Sequence, residues 1–255
     1  MNLKTTTLLL SLGIFFCFNN ILLAQANIKD SAIDMSIVSV HYTAQFPGGD
    51  MANRFGWNSN VGIGYLYKTH INFLFGIQGS YLFGGAPIEH GIMSNLLTPE
   101  GNILGSNGQF ANVVLYERGL NIMLNFGKLY HILGPNANSG LFLLGGIGFL
   151  QHQIYISDIS KNVPEIDGDY SKGYDRLTNG PAISQTFGYL HLSNKHLINF
   201  YINAEFTEAA TKNRRPLNFD TMLKETKTRI DILYGITLGW SLPLYSRAPN
   251  AYYYY

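Results

Sequence analysis

The sequence predicts an all-β fold, a single closed antiparallel barrel of eight strands that crosses a membrane. Three observations lead there. Apolar and polar residues alternate with period two along eight separate runs, the signature of strands with two unlike faces. The connections between the runs alternate between short and long. Charged residues make up only 13% of the 255-residue chain while aromatics make up 14%, whereas a soluble domain usually carries about a quarter charged residues.

The chain opens with an export pattern. Lys4 precedes an apolar stretch from residue 5 to 23, and Ala24-Gln25-Ala26 places small residues where a signal peptidase reads; residues 1–26 are therefore expected to be a signal peptide and the mature chain to begin near Asn27. Cys17 follows Phe15 and Phe16, which does not suit lipid attachment, and it falls inside the discarded segment. No later run reaches the roughly 20 apolar residues of a membrane helix. The formal net charge of +1 leaves no footprint for nucleic acid.

From 36 to 46 the even positions, among them Val38, Val40, Tyr42 and Phe46, are mostly apolar, and His41, Thr43 and Gln45 lie between them. The run 60–67 aligns Val61, Ile63, Tyr65 and Tyr67, and the run 71–83 sets Phe73, Phe75, Ile77 and Tyr81 against Gly76, Gln78 and Ser80. In 114–126, Leu120, Ile122, Leu124 and Phe126 oppose Gly119, Asn121 and Asn125. The run 140–156 loses its alternation near Gln151, as a bulge would cause, and in 182–191 Gln185 interrupts the apolar face. The run 196–207 sets Ile198, Phe200, Ile202 and Phe206 against Asn199, Asn203, Glu205 and Thr207. The last run alternates most strictly, with Ile230, Ile232, Tyr234, Ile236, Leu238, Trp240 and Leu242 on one face.

The connections at 68–70, 193–195 and 129–139 are short to middling, and those at 47–57, 84–112, 157–179 and 208–227 are longer. Short periplasmic turns alternating with long external loops on an even number of strands is the plan of outer-membrane barrels. The barrel is expected over 27–245. Residues 246–255, which close on Tyr252–Tyr255, form a tyrosine-rich tail. A secreted lipocalin-like barrel has the same strand count, but it packs its bulky apolar residues inside; here the opposing faces are rich in Gly, Asn, Ser and Thr, which suits a wall turned to lipid.

The eight-run pattern resembles the small outer-membrane barrels of the OmpA and OmpW type. Five segments resemble a Bacteroidota-type outer-membrane barrel family of unassigned function: Tyr116-Glu117-Arg118-Gly119, Tyr174 through Gly180, Asn213-Arg214-Arg215, Asn218-Phe219-Asp220, and Arg229 through Gly235. The resemblance implies fold and location and no activity, since barrels of this size host unrelated functions. The peptidoglycan-binding domain of full-length OmpA-type proteins has no counterpart in the sequence, so wall anchoring does not carry over.

Seven histidines are scattered without paired metal-ligand spacing, and neither metal nor cofactor is expected. Ser39 and His41 share a face and, with Glu117 or Glu205 as the acid, are the candidates for a Ser/His/acid set. The acids Asp158, Glu165, Asp167, Asp169 and Asp175 read as a solvated loop, with calcium as the sharper alternative. Glu117, Glu205, Arg229 and Asp231 read as a polar core inside the lumen, paired across strands and closing it, because unpaired enclosed charge is costly. Arg214 and Arg215, in the last long loop, read as contacts for lipopolysaccharide phosphate or a partner. The expected function is that of a non-enzymatic envelope protein, structural or an accessory subunit of an outer-membrane assembly for biogenesis or secretion, in contact with lipid and lipopolysaccharide. A narrow channel or small-solute binder and a lipid-modifying enzyme are the alternatives.

Overall fold

The computed structural model describes residues 31–194 and 198–245. The signal peptide and the tyrosine-rich tail expected from the sequence lie outside the described residues.

Eight antiparallel strands follow one another in chain order: β1 (Met35–Gly49), β2 (Asn58–Lys68), β3 (Phe73–Gly84), β4 (Val113–Tyr130), β5 (Gly140–Asp158), β6 (Thr178–Leu192), β7 (Asn199–Asn213) and β8 (Thr228–Tyr245). Each pairs with its neighbours, and β1 pairs with β8 over the whole of β1, so the sheet closes and leaves no free edge. Closure answers the requirement that hydrocarbon imposes, since it leaves no row of unpaired backbone groups.

The register sets the shape. Starting at Val38 and stepping between paired residues leads through Tyr65, Ile77, Leu124, Ile147, Ile183, Glu208 and Ile232 back to β1 at Gly48. The stagger around the ring is therefore ten residues (38 to 48), which for eight strands inclines them by about 40° to the barrel axis. β5, at 19 residues, is the longest strand and β4 and β8 have 18 each; β4 and β5 project beyond the apolar band at the long-loop end.

Side chains on the two faces separate as the period requires. Val38, Val40, Tyr42 and Phe46 are exposed on the outer wall while Ile37, His41, Thr43 and Gln45 are buried in the lumen. The same division holds along β8, where Ile230, Tyr234, Ile236, Leu238, Trp240 and Leu242 point out and Asp231, Leu233, Thr237 and Ser241 point in.

The blur in β5 has a different cause from the bulge expected near Gln151. The β4–β5 register runs without a skip from Val113↔Asp158 to Tyr130↔Leu141. The alternation fades because Leu150 and Ile154 are fully buried in the lumen while Gln151 and Gln153 occupy the outer face.

The lumen is layered rather than uniformly polar. At the short-turn end Met35, Ile37, Leu74, Leu129, Phe142, Leu190 and Leu192 form one apolar cluster. Toward the long loops Met51, Phe55, Leu82, Met123, Leu150, Ile154 and Leu233 form another. Between them lies a polar layer in which Thr43 Oγ1 and Thr237 Oγ1 are 2.9 Å apart, Gln78 Nε2 and His41 Nε2 are 3.3 Å apart, and Glu205 bonds to Thr207 and Gln78. A cavity of about 60 Å³ lies against Ser39, Gln78, Asn125, Asn203 and Ser241, enough for a few waters. Tyr201 reaches across this interior because Gly239 opposite has no side chain; a Cβ there would collide with the tyrosine ring.

Above the barrel the long loops have a core of their own. Met93 and Ile103 from 85–112 pack with Val163, Ile166 and Tyr174 from 159–177, and Phe219 from 214–227 joins them. The Tyr174 and Phe219 rings meet edge to face at 5.6 Å, and Asn95 Nδ2 donates to the Tyr174 hydroxyl at 2.9 Å. Gly173 leaves room for that ring, since a methyl at this position would overlap Phe219.

Candidate functional site

The densest set of functional side chains sits at the mouth of the barrel under the long loops. Arg54, in the short 3-10 turn region after β1, is 2% exposed and binds in several directions. Its Nε donates to Glu89 Oε2 at 2.6 Å, one terminal nitrogen lies 3.6 Å from Glu225 Oε2, and the other donates to Thr178 Oγ1 at 3.1 Å. Arg176 shares Glu89 at 3.3 Å and also pairs with Asp220. Arg229 donates to Glu225 Oε1 at 3.1 Å and to the Asp50 carbonyl at 2.6 Å. Residues of all four long connections thus meet in one ionic network. Such pairs, buried and held by several hydrogen bonds, lock geometry more than they add net stability.

Arg176 holds a left-handed backbone, φ +52°, a conformation costly for a side chain this large. The network compensates it, since both the Arg176 carbonyl and its guanidinium are engaged. Two carboxyls at the edge of the network are held below their usual range. Burial alone would raise Glu225, but the Asn213 amide and the charges of Arg54 and Arg229 outweigh it. Asp50 is lowered first by the Ile230 backbone N–H and then by Lys227.

The structure brings together only part of the lumen set expected from the sequence. Arg229 Nε lies 3.7 Å from Asp231 Oδ1, and Asp231 is held further by His152 Nε2 at 2.9 Å and by Thr211. Glu117 is buried nearby but meets Asn58 Nδ2 at 2.9 Å, and Glu205 sits in the polar middle layer. Among the described residues neither glutamate has an ion-pair partner, so the four do not form one cross-strand set. The apolar clusters do the filling that these charges were expected to do. Arg54, Arg176, Glu89 and Glu225 were missed because the network joins residues up to 179 apart in sequence.

Arg215 is not free for lipid phosphate, because Asp175 engages its guanidinium with both oxygens. That pairing raises Arg215 above its ordinary value. Arg214 remains exposed and bonds to Asn179, its terminal nitrogen donating to the carbonyl at 3.2 Å. The loop acids do not converge as a calcium site would need. Asp158 accepts from the backbone N–H groups of Lys161, Asn162 and Val163; Asp167 caps Gly168, Asp169 pairs with Lys172, and Asp175 pairs with Arg215. Ser39 and His41 also part company, His41 meeting Gln78 and Ser39 the Gly64 carbonyl at 3.5 Å.

The outer wall has its own order. Following the register, Tyr65, Tyr67, Tyr130 and Trp240 cluster toward the short-turn end and Phe46, Tyr81 and Tyr234 toward the long loops, all of them exposed. Aliphatic residues such as Ile63, Leu124, Ile147 and Ile236, 55–67% exposed, occupy the belt between. Apolar belts flanked by aromatic girdles are the mark of a lipid-facing barrel. β4 shows the limits most directly. Its outward cations are Lys128, whose Nζ lies 5.2 Å from the Phe73 ring centre, and Arg118, which rests on tyrosines. Leu120, Ile122, Leu124 and Phe126 are the outward residues between them. Ten residues (118 to 128) inclined by about 40° span roughly 25 Å of bilayer normal, which matches an outer-membrane apolar band of about 25 Å.

A closed eight-stranded barrel with this wall belongs to the class of transmembrane β-barrels of the outer-membrane type. No protein-family model and no curated protein matches the chain. Among solved structures it is similar to Ail, the attachment invasion locus protein of Yersinia pestis, with TM-score 0.44 and 10% identity over 82% of this chain and 99% of that one. It is also similar to Neisserial surface protein A, with TM-score 0.37 and 8% identity over 81% and 96%. A third is OprG from Pseudomonas aeruginosa, with TM-score 0.35 and 13% identity over 85% and 99%. The class rests on this chain's own register and wall.

Proposed function

We propose that the protein is a non-enzymatic outer-membrane barrel that works by contact, as a structural or accessory subunit of an envelope assembly, and that residues 1–26 are removed during export. The observation that carries this reading is the folded head. All four long connections are bound by one ionic network over a lumen filled by two apolar layers, so the mouth presents a surface rather than an opening. That surface shows Trp57, Phe110, Tyr170, Met222 and Leu223, each more than 60% exposed, and exposed apolar groups of this kind mark interaction surfaces when they cluster. The five segments that resemble the Bacteroidota-type family supply Glu117, Asp175, Arg176, Arg215, Asp220 and Arg229, which supports assigning the head to whatever that family shares.

A photo-reactive amino acid placed at Tyr170 or Leu223 in cells should trap a specific envelope protein, whereas one at Ile236 on the belt should not. Trapping from the belt alone would move the contact surface to the wall. In planar bilayers the purified protein should give no stable large conductance steps, and reproducible porin-sized steps would favour the channel alternative.

A further inference from the structure

Arg118, on the outer wall, is a charge ringed by three aromatic side chains with no counter-charge among the described residues. Its guanidinium carbon lies 5.6 Å from the ring centres of Tyr116 and Tyr155 and 6.0 Å from that of Tyr81. Among the described residues no carboxylate lies within ion-pair distance of it. Gln153 is its register partner on β5, and the hydroxyls of Tyr81, Tyr116 and Tyr155 have no hydrogen-bond partner among the described residues.

We propose that Arg118, the three tyrosines and Gln153 form a binding site for the phosphate of a lipid headgroup in the leaflet at the long-loop end. Position, charge and donor geometry all point the same way. The cluster lies at the upper edge of the apolar belt, where headgroup phosphates meet the acyl boundary. Cation–π contact holds the guanidinium among the rings, and its N–H groups have no acceptor among the described residues, so they are available to a bidentate acceptor, for which phosphate oxygens are a geometric match. The three tyrosine hydroxyls and the amide of Gln153, the register partner of Arg118, supply further neutral donors on the same stretch of wall. No acidic side chain competes, whereas every arginine in the mouth network is already engaged by carboxylates. The site replaces Arg215 as the phosphate contact on this chain. It rests on the reading of the wall as lipid-facing.

The test uses the full-length mature protein, folded in detergent and in vesicles. Native mass spectrometry measures retention of phosphorylated lipid A, enzymatically dephosphorylated lipid A, phosphatidylglycerol and inorganic phosphate. Arg118→Gln should weaken retention of a phosphorylated lipid about tenfold or more, as loss of a charge-assisted pair does. Arg118→Lys, which keeps the charge and loses the fork, should fall between. Lys212→Gln, at an outward basic site on β7, should change nothing. Should Arg118→Gln fail to fold, Tyr155→Phe keeps the ring, removes one donor and should still weaken binding several-fold. Whether lipid A or phosphatidylglycerol is the ligand shows in which of them responds to the Arg118 variants. Equal retention by wild type and Arg118→Gln of both phosphorylated lipid A and phosphatidylglycerol, retention of dephosphorylated lipid A equal to that of the phosphorylated form with phosphatidylglycerol unaffected by the variants, or binding of inorganic phosphate as tight as that of lipid would overturn the site. Failure of the wild type to insert into vesicles would instead overturn the lipid-facing wall itself.

Discussion

Two isoleucines of β8, both on the outer wall, provide a depth gauge for the barrel. Ile236 is 57% exposed and Ile230 51% exposed, so neither contributes much to packing within the protein. In the register Ile236 pairs with Ala44 and Ala204, near the middle of the belt, while Ile230 pairs with Ala210 beside the long loops. Six residues separate them (230 to 236), which at about 3.3 Å each and a tilt of about 40° is roughly 15 Å of bilayer normal. Half of an apolar band of about 25 Å is less than that, so Ile230 stands at or beyond the interface. Lysine costs about 2–4 kcal/mol at the midplane and about 0–1 kcal/mol near the interface. Ile236→Lys should therefore lose about 2–4 kcal/mol of folding stability in vesicles and Ile230→Lys at most about 1. Urea titration in short-chain lipid vesicles, read by heat-modifiable gel mobility, measures both. Equal cost at the two positions, or no cost at either, would refute the lipid-facing assignment and favour a barrel whose outside meets water.

Replacing Arg54 by methionine keeps the bulk but takes one partner from Glu89 and one from Glu225, leaving them to Arg176 and Arg229; because those partners remain, the cost should fall below the about 3–5 kcal/mol of stranding a buried charge. The head should open to protease within 85–112 while the barrel keeps its gel shift. Acid should loosen the same head. The folded-state values of Glu225 and Asp50 are depressed, so the stability they contribute is present above the ordinary carboxylate range and is lost as pH falls through their lowered values. Proteolysis of the loops should therefore accelerate on descending through that acidic window and stay flat from neutral pH down to it. Mass spectrometry of the protein from outer membranes should place its N-terminus near Asn27, and an intact Met1-containing product would refute the proposed processing.

The strands and their facing were legible because alternation is a local property. Whether Ile236 or Thr237 meets lipid follows from its immediate neighbours, and the structure places each where the period puts it. β5 was harder to read, since Leu150 and Ile154 turn bulk into the lumen and erase the contrast between faces; only the register on β4 and β6 restores it. The mouth was barely legible. Arg229 and Asp231 stood out as enclosed charges, but the partners that decide their role, Glu225, His152 and the Asp50 carbonyl, come from other strands and loops. Arg54 gave no signal because a lone arginine in an external connection ordinarily points to solvent. Arg215 was noticed for its charge and misassigned because Asp175, forty residues earlier, already occupies it.

The two cations on β4 have a consequence for where the protein can reside. Held on their aromatic supports at either end of four apolar side chains, Arg118 and Lys128 fix the hydrophobic thickness that this wall accepts. A bilayer several ångströms thicker would drag one of them below its headgroups unless the barrel tilted or the lipid thinned around it, and each ångström of such mismatch carries a fraction of a kcal/mol. The bacterial outer membrane is thinner than average, so the spacing matches the barrel to it. Within a membrane of uneven thickness the same spacing would concentrate the protein in the thinner patches, so β4 acts on lateral distribution as well as on insertion.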